Sequence, residues 1–191
     1  MYEPKKFDIP ELKGISKQTI EEHLKLYEGY VKNTNLILEK ISSGEGYDTS
    51  EMRRRLGFEF DGMRNHEYYF EQLEGGPKNP IDGCTCNAQI ERQWGSRDAW
   101  LEELKNVAKT RGVGWAITYY DKKADKLIDA WVDEQQFGHL TGLDFMFGID
   151  MWEHSFMLDY PPSEKAKYID AYLENVNWQV MGGRFTESSG R

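Results

Sequence analysis

The stretch Gly75-Gly76-Pro77-Lys78-Asn79-Pro80 constrains this chain more than any other feature, because a helix cannot run through it. It separates a part patterned for helices from a part patterned mainly for strands. Before it, Ile20, His23, Tyr27, Tyr30 or Val31, and Thr34 recur at three- and four-residue steps. They share one face of a helix expected from a Ser16 N-cap to about Ile41. Ser42-Ser43-Gly44-Glu45-Gly46 should break it. A second helix is expected from after Thr49 or Ser50 to about Leu73, with Met63, His66, Phe70 and Leu73 facing inward. Two long helices joined by a short loop make an antiparallel hairpin.

Past the break the period changes. Ala99 to Thr110 reads as a helix stopped by Gly112 and Gly114. Trp115 to Tyr120 is strand-like, Asp121 to Lys126 is a polar turn, and Leu127 to Val132 returns as a second strand. A third apolar run, Phe145 to Ile149, leads directly into Asp150-Met151-Trp152-Glu153-His154, and Lys165 to Glu174 is expected as the final helix. The fold class is α+β: a helical hairpin domain over 1–80, then a domain over 81–185 with a small antiparallel sheet. Residues 186–191 are expected to be a linker-like tail.

Charge and composition narrow the function. With 39% hydrophobic and 14% aromatic residues the chain can build a packed core. It has no apolar run near 18 residues, so no membrane-spanning helix is expected. Met1 to Lys6 has no apolar stretch behind its lysines, so no signal peptide is expected. A net charge of -9 disfavours nucleic acid as a partner, and it means an anionic substrate needs a local positive centre. Cys84 and Cys86 form a lone CTC, too close for an unstrained bridge and too few for a thiolate zinc site. They read as reduced thiols of a cytoplasmic protein.

There are only four histidines: His23, His66, His139 and His154. His23 and His66 lie on the apolar stripes of the two hairpin helices. Each alone reads as a core histidine, but two facing each other across a hairpin suggest a metal, since imidazole is the commonest protein ligand. Asp150 and His154 stand four residues apart and share a face if a helical turn follows the strand. Three imidazoles and a carboxylate suit manganese, iron or zinc and argue against structural zinc. His66-Glu67-Tyr68-Tyr69-Phe70 begins like HExxH and ends in Phe70, so the metalloprotease motif is absent. No Glu is followed three residues later by His, so a carboxylate-bridged di-iron bundle has no support.

Ile149-Asp150-Met151-Trp152-Glu153-His154, followed by Leu158-Asp159-Tyr160, resembles the DxWEHxxxxxY signature of iron/manganese superoxide dismutases. Thr19 to His23 with Tyr30 to Asn33 resembles that family's first-helix ligand segment, and Asn65-His66 its second-helix NH motif. Trp94-Gly95-Ser96, Gly112 to Trp115 and Asn177-Trp178 resemble its FGS, GxGW and closing NW segments. The likeness spans roughly residues 12 to 180 in the family's order. It implies His23, His66, Asp150 and His154 as ligands of one manganese or iron ion, with a solvent molecule as the fifth. It also implies a three-stranded antiparallel sheet in the second domain. Glu153 would reach across a homodimer interface to the other copy's His154, in a homodimer or homotetramer. Tyr30 would stand at the substrate channel, and Trp115 and Trp152 would wall the metal pocket.

The chain also departs from that pattern. Tyr30 is seven residues after His23, where the family usually has eight, so the helix should lack a bulge. Tyr27 or Leu26 falls near the usual channel histidine, Phe70 replaces a tryptophan after NH, and Met157 replaces a tyrosine after WEH. The arginine usual after WEH is missing, and Lys165 is the nearest cation. An amide that bonds the metal's solvent comes in one branch from four residues before the second ligand, which here is Gly62. The other branch takes it from the sheet, and Gln135 lies fifteen residues before Asp150, with Gln136 adjacent and His139 close by. Gly62, the sheet-side glutamine and Gly148 lean toward the manganese type. The resemblance thus implies a superoxide dismutase. The alternatives are a metal-binding homologue with lost activity and, more remotely, a zinc hydrolase using the same histidines.

Overall fold

In the computed structural model, residues 1–44, 49–81 and 83–191 are described. Helix α1 (Lys17–Ser43) starts where its cap requires: the Ser16 hydroxyl accepts the Thr19 N–H at 3.2 Å. It runs two residues past Ile41 and stops at Gly44, whose left-handed backbone sends its N–H back to the Lys40 carbonyl. Glu45 and Gly46, the rest of the expected break, lie outside the described residues. Helix α2 (Thr49–Glu71) follows, and Leu73 is buried in the turn beyond it. Contacts run in opposite directions along the two helices: His23 meets Phe70, Tyr27 meets Glu67, Tyr30 meets Gly62 and Asn33 meets Glu59. The hairpin is therefore antiparallel. Both expected stripes are buried in full, from Ile20 to Thr34 and from Met63 to Leu73.

The second part forms helices α3 (Thr85–Trp94) and α4 (Arg97–Ala108), then strands β1 (Gly114–Asp121), β2 (Lys126–Asp133) and β3 (Asp144–Asp150). Helix α4 begins two residues before Ala99 because the Ser96 hydroxyl caps the Ala99 N–H. Short 3-10 turns at Glu153–Ser155 and Pro162–Glu164 lead to α5 (Lys165–Glu174) and α6 (Trp178–Ser189). The sheet is antiparallel in the order β2-β1-β3, so β1 is central, and its residues 114 to 120 are buried. Its register sets Trp115 opposite Asp150 on one side and Val132 on the other.

Two expectations need correction. Lys165–Glu174 forms but is not the last helix, and residues 186–189 are the end of α6 rather than a tail. The Gly182-Gly183 pair and the serines obscure a real stripe, in which Trp178, Met181 and Phe185 are buried at helical spacing. Arg184 pins that helix, donating to the Tyr68 carbonyl at 3.0 Å and the Met146 carbonyl at 3.2 Å. Helix α3 was not expected at all. Its buried face is only Cys86, Gln89 and Ile90, too short and too polar to read as a stripe.

One reciprocal pair fixes how the hairpin meets the sheet. Gln72 donates to the Gly148 carbonyl at 2.8 Å and accepts the Gly148 N–H at 2.9 Å. Both groups are buried, so each satisfies a donor and an acceptor that would otherwise be costly. The end of α2 is thereby locked to the end of β3, which carries Asp150.

Candidate metal centre

The two locked elements bring four side chains together. His23 comes from α1, His66 from α2, Asp150 from the last residue of β3, and His154 from the 3-10 turn that follows. The turn Glu153–Ser155 takes the place of the helical turn expected there, and Ser155 holds it by donating to the Asp150 and Trp152 carbonyls at 3.0 and 2.7 Å. One ligating atom from each of the four side chains lies within 4.8 Å of all the others. His23, His66 and Asp150 are fully buried, and the His154 side chain is 24% exposed.

The donor set fits a cation. Asp150 Oδ2 faces His23 Nε2 and His154 Nε2 at 3.1 Å each, and His66 Nε2 at 3.5 Å. Its other oxygen accepts the Trp152 N–H at 2.8 Å, which fixes the plane of the carboxylate. His66 Nδ1 donates to the Gly62 carbonyl at 2.6 Å, leaving Nε2 as a bare lone pair with no hydrogen-bond partner among the described residues. A bare nitrogen turned toward a carboxylate oxygen in a buried site is two acceptors facing each other. A metal ion between them turns that repulsion into coordination, and the backbone bond at Nδ1 is the usual support of a ligating imidazole. Burial lowers the pKa of both His23 and His66, which favours the neutral, ligating form. Burial alone would raise Asp150, yet His154 and His23 hold it well below the usual carboxylate range.

Aromatic rings close the centre. Trp115 and Tyr30 each stand 5.1 Å from the His66 ring, Tyr69 and Phe70 stand 4.9 Å from His23, and Trp152 stacks on His154 at 5.7 Å. The substituted position at Phe70 is therefore filled by a ring that still packs on a ligand. Gln135 is fully buried beside them. It accepts the Trp115 indole N–H at 2.9 Å and donates to the Tyr30 hydroxyl at 3.0 Å. Gln136 turns away, its Cβ and Cγ lying over Gly57. His139 bonds the Gln135 backbone rather than pointing at the tetrad. Gly62 has a packing reason: a Cβ there would meet the Tyr30 ring at 2.6 Å. Gly148 has another, since a Cβ there would run into the Phe145 ring.

Other residues singled out in the sequence lie outside the tetrad. Glu153 is exposed beside His154, next to the exposed Met157 and Leu158. Tyr27 takes the Lys5 N–H at 2.9 Å and donates to Glu67 at 3.2 Å, which ties it to the N-terminal segment. Burial pushes its phenol up to about 12. Lys165 donates to the Thr110 carbonyl and lies over the Trp131 ring. Asn65 and Tyr119, which spacing did not single out individually, prove to contact the backbone and side chains around Gln135.

Three imidazoles and one carboxylate, buried and without thiolate, define a mononuclear site for a redox-capable transition metal. The comparisons agree. The family model described as iron/manganese superoxide dismutases, C-terminal domain, matches residues 82–184. A superoxide dismutase named for iron from Aquifex pyrophilus is 34% identical over 199 residues, covering 97% of this chain and 92% of that protein. One named for manganese from Mycobacterium leprae is 30% identical over 176 residues, covering 88% and 83%. The chain belongs to the iron/manganese superoxide dismutase family. It is an oxidoreductase with superoxide as substrate, and its tetrad binds one iron or manganese ion.

Proposed function

We propose that this dismutase works with manganese, that Gln135 and Tyr30 serve its proton chemistry, and that it acts in the cytoplasm as a homodimer meeting at Glu153. The Gln135 amide carries the reading: from the sheet side it bonds Tyr30, whose ring packs on ligand His66, while Gly62 leaves no amide on the helix side. His23, His66, Asp150 and His154 would hold the ion, which would supply one-electron redox chemistry toward superoxide and the positive charge that a -9 chain lacks. The rest belongs to the protein. Trp115 occupies the Gln135 carbonyl oxygen, so the amide is oriented with its N–H groups toward Tyr30 and the site. One N–H goes to the Tyr30 hydroxyl. The other remains to donate to an oxygen species in the site. Burial raises the Tyr30 phenol above its ordinary range, so it keeps its proton at neutral pH and can donate it toward the leaving peroxide.

The entrance is read from the rings outside the tetrad. Phe58 lies between Tyr30 and Trp152, 5.9 and 6.3 Å from them, and the Arg55 guanidinium sits 3.9 Å above Phe58. The rings restrict water while Arg55 brings a positive charge to the mouth, partly offset by its bond to Glu59. No described helix is long and apolar enough to cross a membrane. Metal reconstitution tests the metal assignment. Metal-free protein loaded separately with manganese and with iron should turn over superoxide markedly faster in the manganese form. Equal turnover would discard the manganese preference. Full loading with no turnover by either metal would favour the metal-binding homologue with lost activity.

A further inference from the structure

Gln135 occupies an awkward piece of backbone. It follows Glu134, a non-glycine residue with a left-handed φ of 52°, in the turn where Asp133 and Phe137 exchange hydrogen bonds at 2.8 and 3.1 Å. A non-glycine residue in the left-handed region is held there by its surroundings. The surroundings here are specific. The Gln135 backbone carbonyl accepts two side-chain donors, Asn65 Nδ2 at 3.1 Å from α2 and His139 Nε2 at 2.9 Å from the loop before β3. His139 Nδ1 in turn lies 2.6 Å from the Tyr119 hydroxyl on β1.

The chain of bonds fixes a tautomer. The Gln135 carbonyl can only accept, so Nε2 carries the imidazole hydrogen. In the neutral imidazole Nδ1 is then the acceptor, and the Tyr119 hydroxyl donates to it. Burial raises Tyr119 above the ordinary phenol range, so that donor is retained. Asp61 Oδ2, 3.9 Å from Nε2, is the nearby carboxylate on α2. We infer that His139, oriented by Tyr119, is a positioning residue that clamps the Gln135 backbone carbonyl together with Asn65, whose Nδ2 lies beside His139 Nε2 at 3.5 Å. This rests on the reading of Gln135 as the amide that serves the metal centre. Asn65 precedes ligand His66, so the clamp ties the amide to the same helix turn that carries a ligand. A shift of the turn would swing the Gln135 side chain away from Tyr30 and Trp115 without removing any ligand.

The test compares His139→Leu, His139→Gln and Tyr119→Phe with Gln135→Leu and the double variant, each manganese-loaded and checked for metal content. The readouts are the reduction potential of the bound metal and its visible spectrum, with turnover alongside. Gln135→Leu should lose roughly 10- to 100-fold in turnover, and His139→Leu about 10-fold, with normal metal content. Both should move the potential in the same direction. The double variant should match Gln135→Leu, because one effect passes through the other. His139→Gln, which keeps a donor near Nε2, should recover most of the loss, and Tyr119→Phe should fall between. In the metal-free protein, nitrogen NMR of His139 should show the Nε2–H tautomer in the parent, with Tyr119→Phe admitting the other. An unshifted potential in His139→Leu beside a shifted one in Gln135→Leu overturns the clamp, as does an additive double variant or an Nδ1–H tautomer in the parent. If Gln135→Leu itself leaves potential and spectrum unchanged, the reading of Gln135 fails and takes the proposed role with it.

Discussion

Two carboxylates on outer strands of the same sheet show how little burial alone decides. Asp150 ends β3 and Asp129 lies within β2, and both are largely withdrawn from water. Burial pushes each toward the neutral acid. Around Asp150 three imidazoles converge, and two of them, His154 and His23, hold it well below the usual carboxylate range. Around Asp129 the partners are uncharged: Thr118 donates at 2.5 Å and the Trp100 indole at 3.3 Å, both to Oδ1. Oδ2 has no hydrogen-bond partner among the described residues, Glu103 on α4 adds a second negative charge, and the carboxyl is pushed up to about 6. One site is built for an anion facing a cation, and the other tolerates an acid. The difference separates a functional carboxylate from a structural one without any appeal to burial.

The largest effect should come from breaking the Asp150 side of that contrast. Asp150→Asn keeps the shape and the acceptor for the Trp152 N–H but removes the charge that faces three imidazoles. Loss of one ligand charge from a four-residue set should abolish stable metal binding and dismutase activity together. His66→Ala should do the same by removing the bare Nε2. Metal analysis of the purified variants checks this, and full metal content in either would refute the ligand set. A smaller effect should follow from Glu153→Ala, which leaves the tetrad in place. Glu153 is exposed next to His154 and is proposed to orient that imidazole in a second copy of the chain. Sedimentation should show a weaker dimer, and turnover should fall with dilution. A variant that sediments and turns over like the parent would return Glu153 to an ordinary surface carboxylate.

The contrast also marks what the sequence could disclose. The hairpin was legible because its two stripes are long and periodic, and the ligands because histidine is so scarce in this chain. Asp150 stood out through its company at Trp152-Glu153-His154. Helices α3 and α6 were hidden, the first by a buried Gln89 and the second by Gly182-Gly183 and terminal serines. The choice of Gln135 over Gln136 was hidden for another reason. Its phase is set by the left-handed Glu134 and by the Asp133–Phe137 turn, neither of which strand alternation can indicate. The groups that hold it come from α2, β1 and the loop after β2, and only the folded register brings them together. Asp129 was invisible for the same reason. Its partners Thr118 and Trp100 lie on β1 and α4.

The smallest effect, and the one that isolates Asp129, is a pH dependence. Its carboxyl titrates near 3.8 in the unfolded chain and at about 6 in the fold, so between those values the native state binds more protons. Stability contributed by this group is therefore full below about pH 4 and is lost as pH rises through about 6. A shift of about two units corresponds to roughly 2 to 3 kcal/mol lost above that range. Asp129→Asn keeps an oxygen for Thr118 and Trp100 and cannot ionise, so it should remove the loss. Denaturant unfolding of parent and variant at pH 5 and pH 8 makes the comparison, since every other group titrates alike in both. The variant should gain on the parent by about 1.4 kcal/mol on moving from pH 5 to pH 8, because part of the loss is already present at pH 5, with turnover unchanged. A parent–variant difference that is the same at both pH values would mean that Asp129 does not titrate across this range, and that its unpartnered oxygen is satisfied by water.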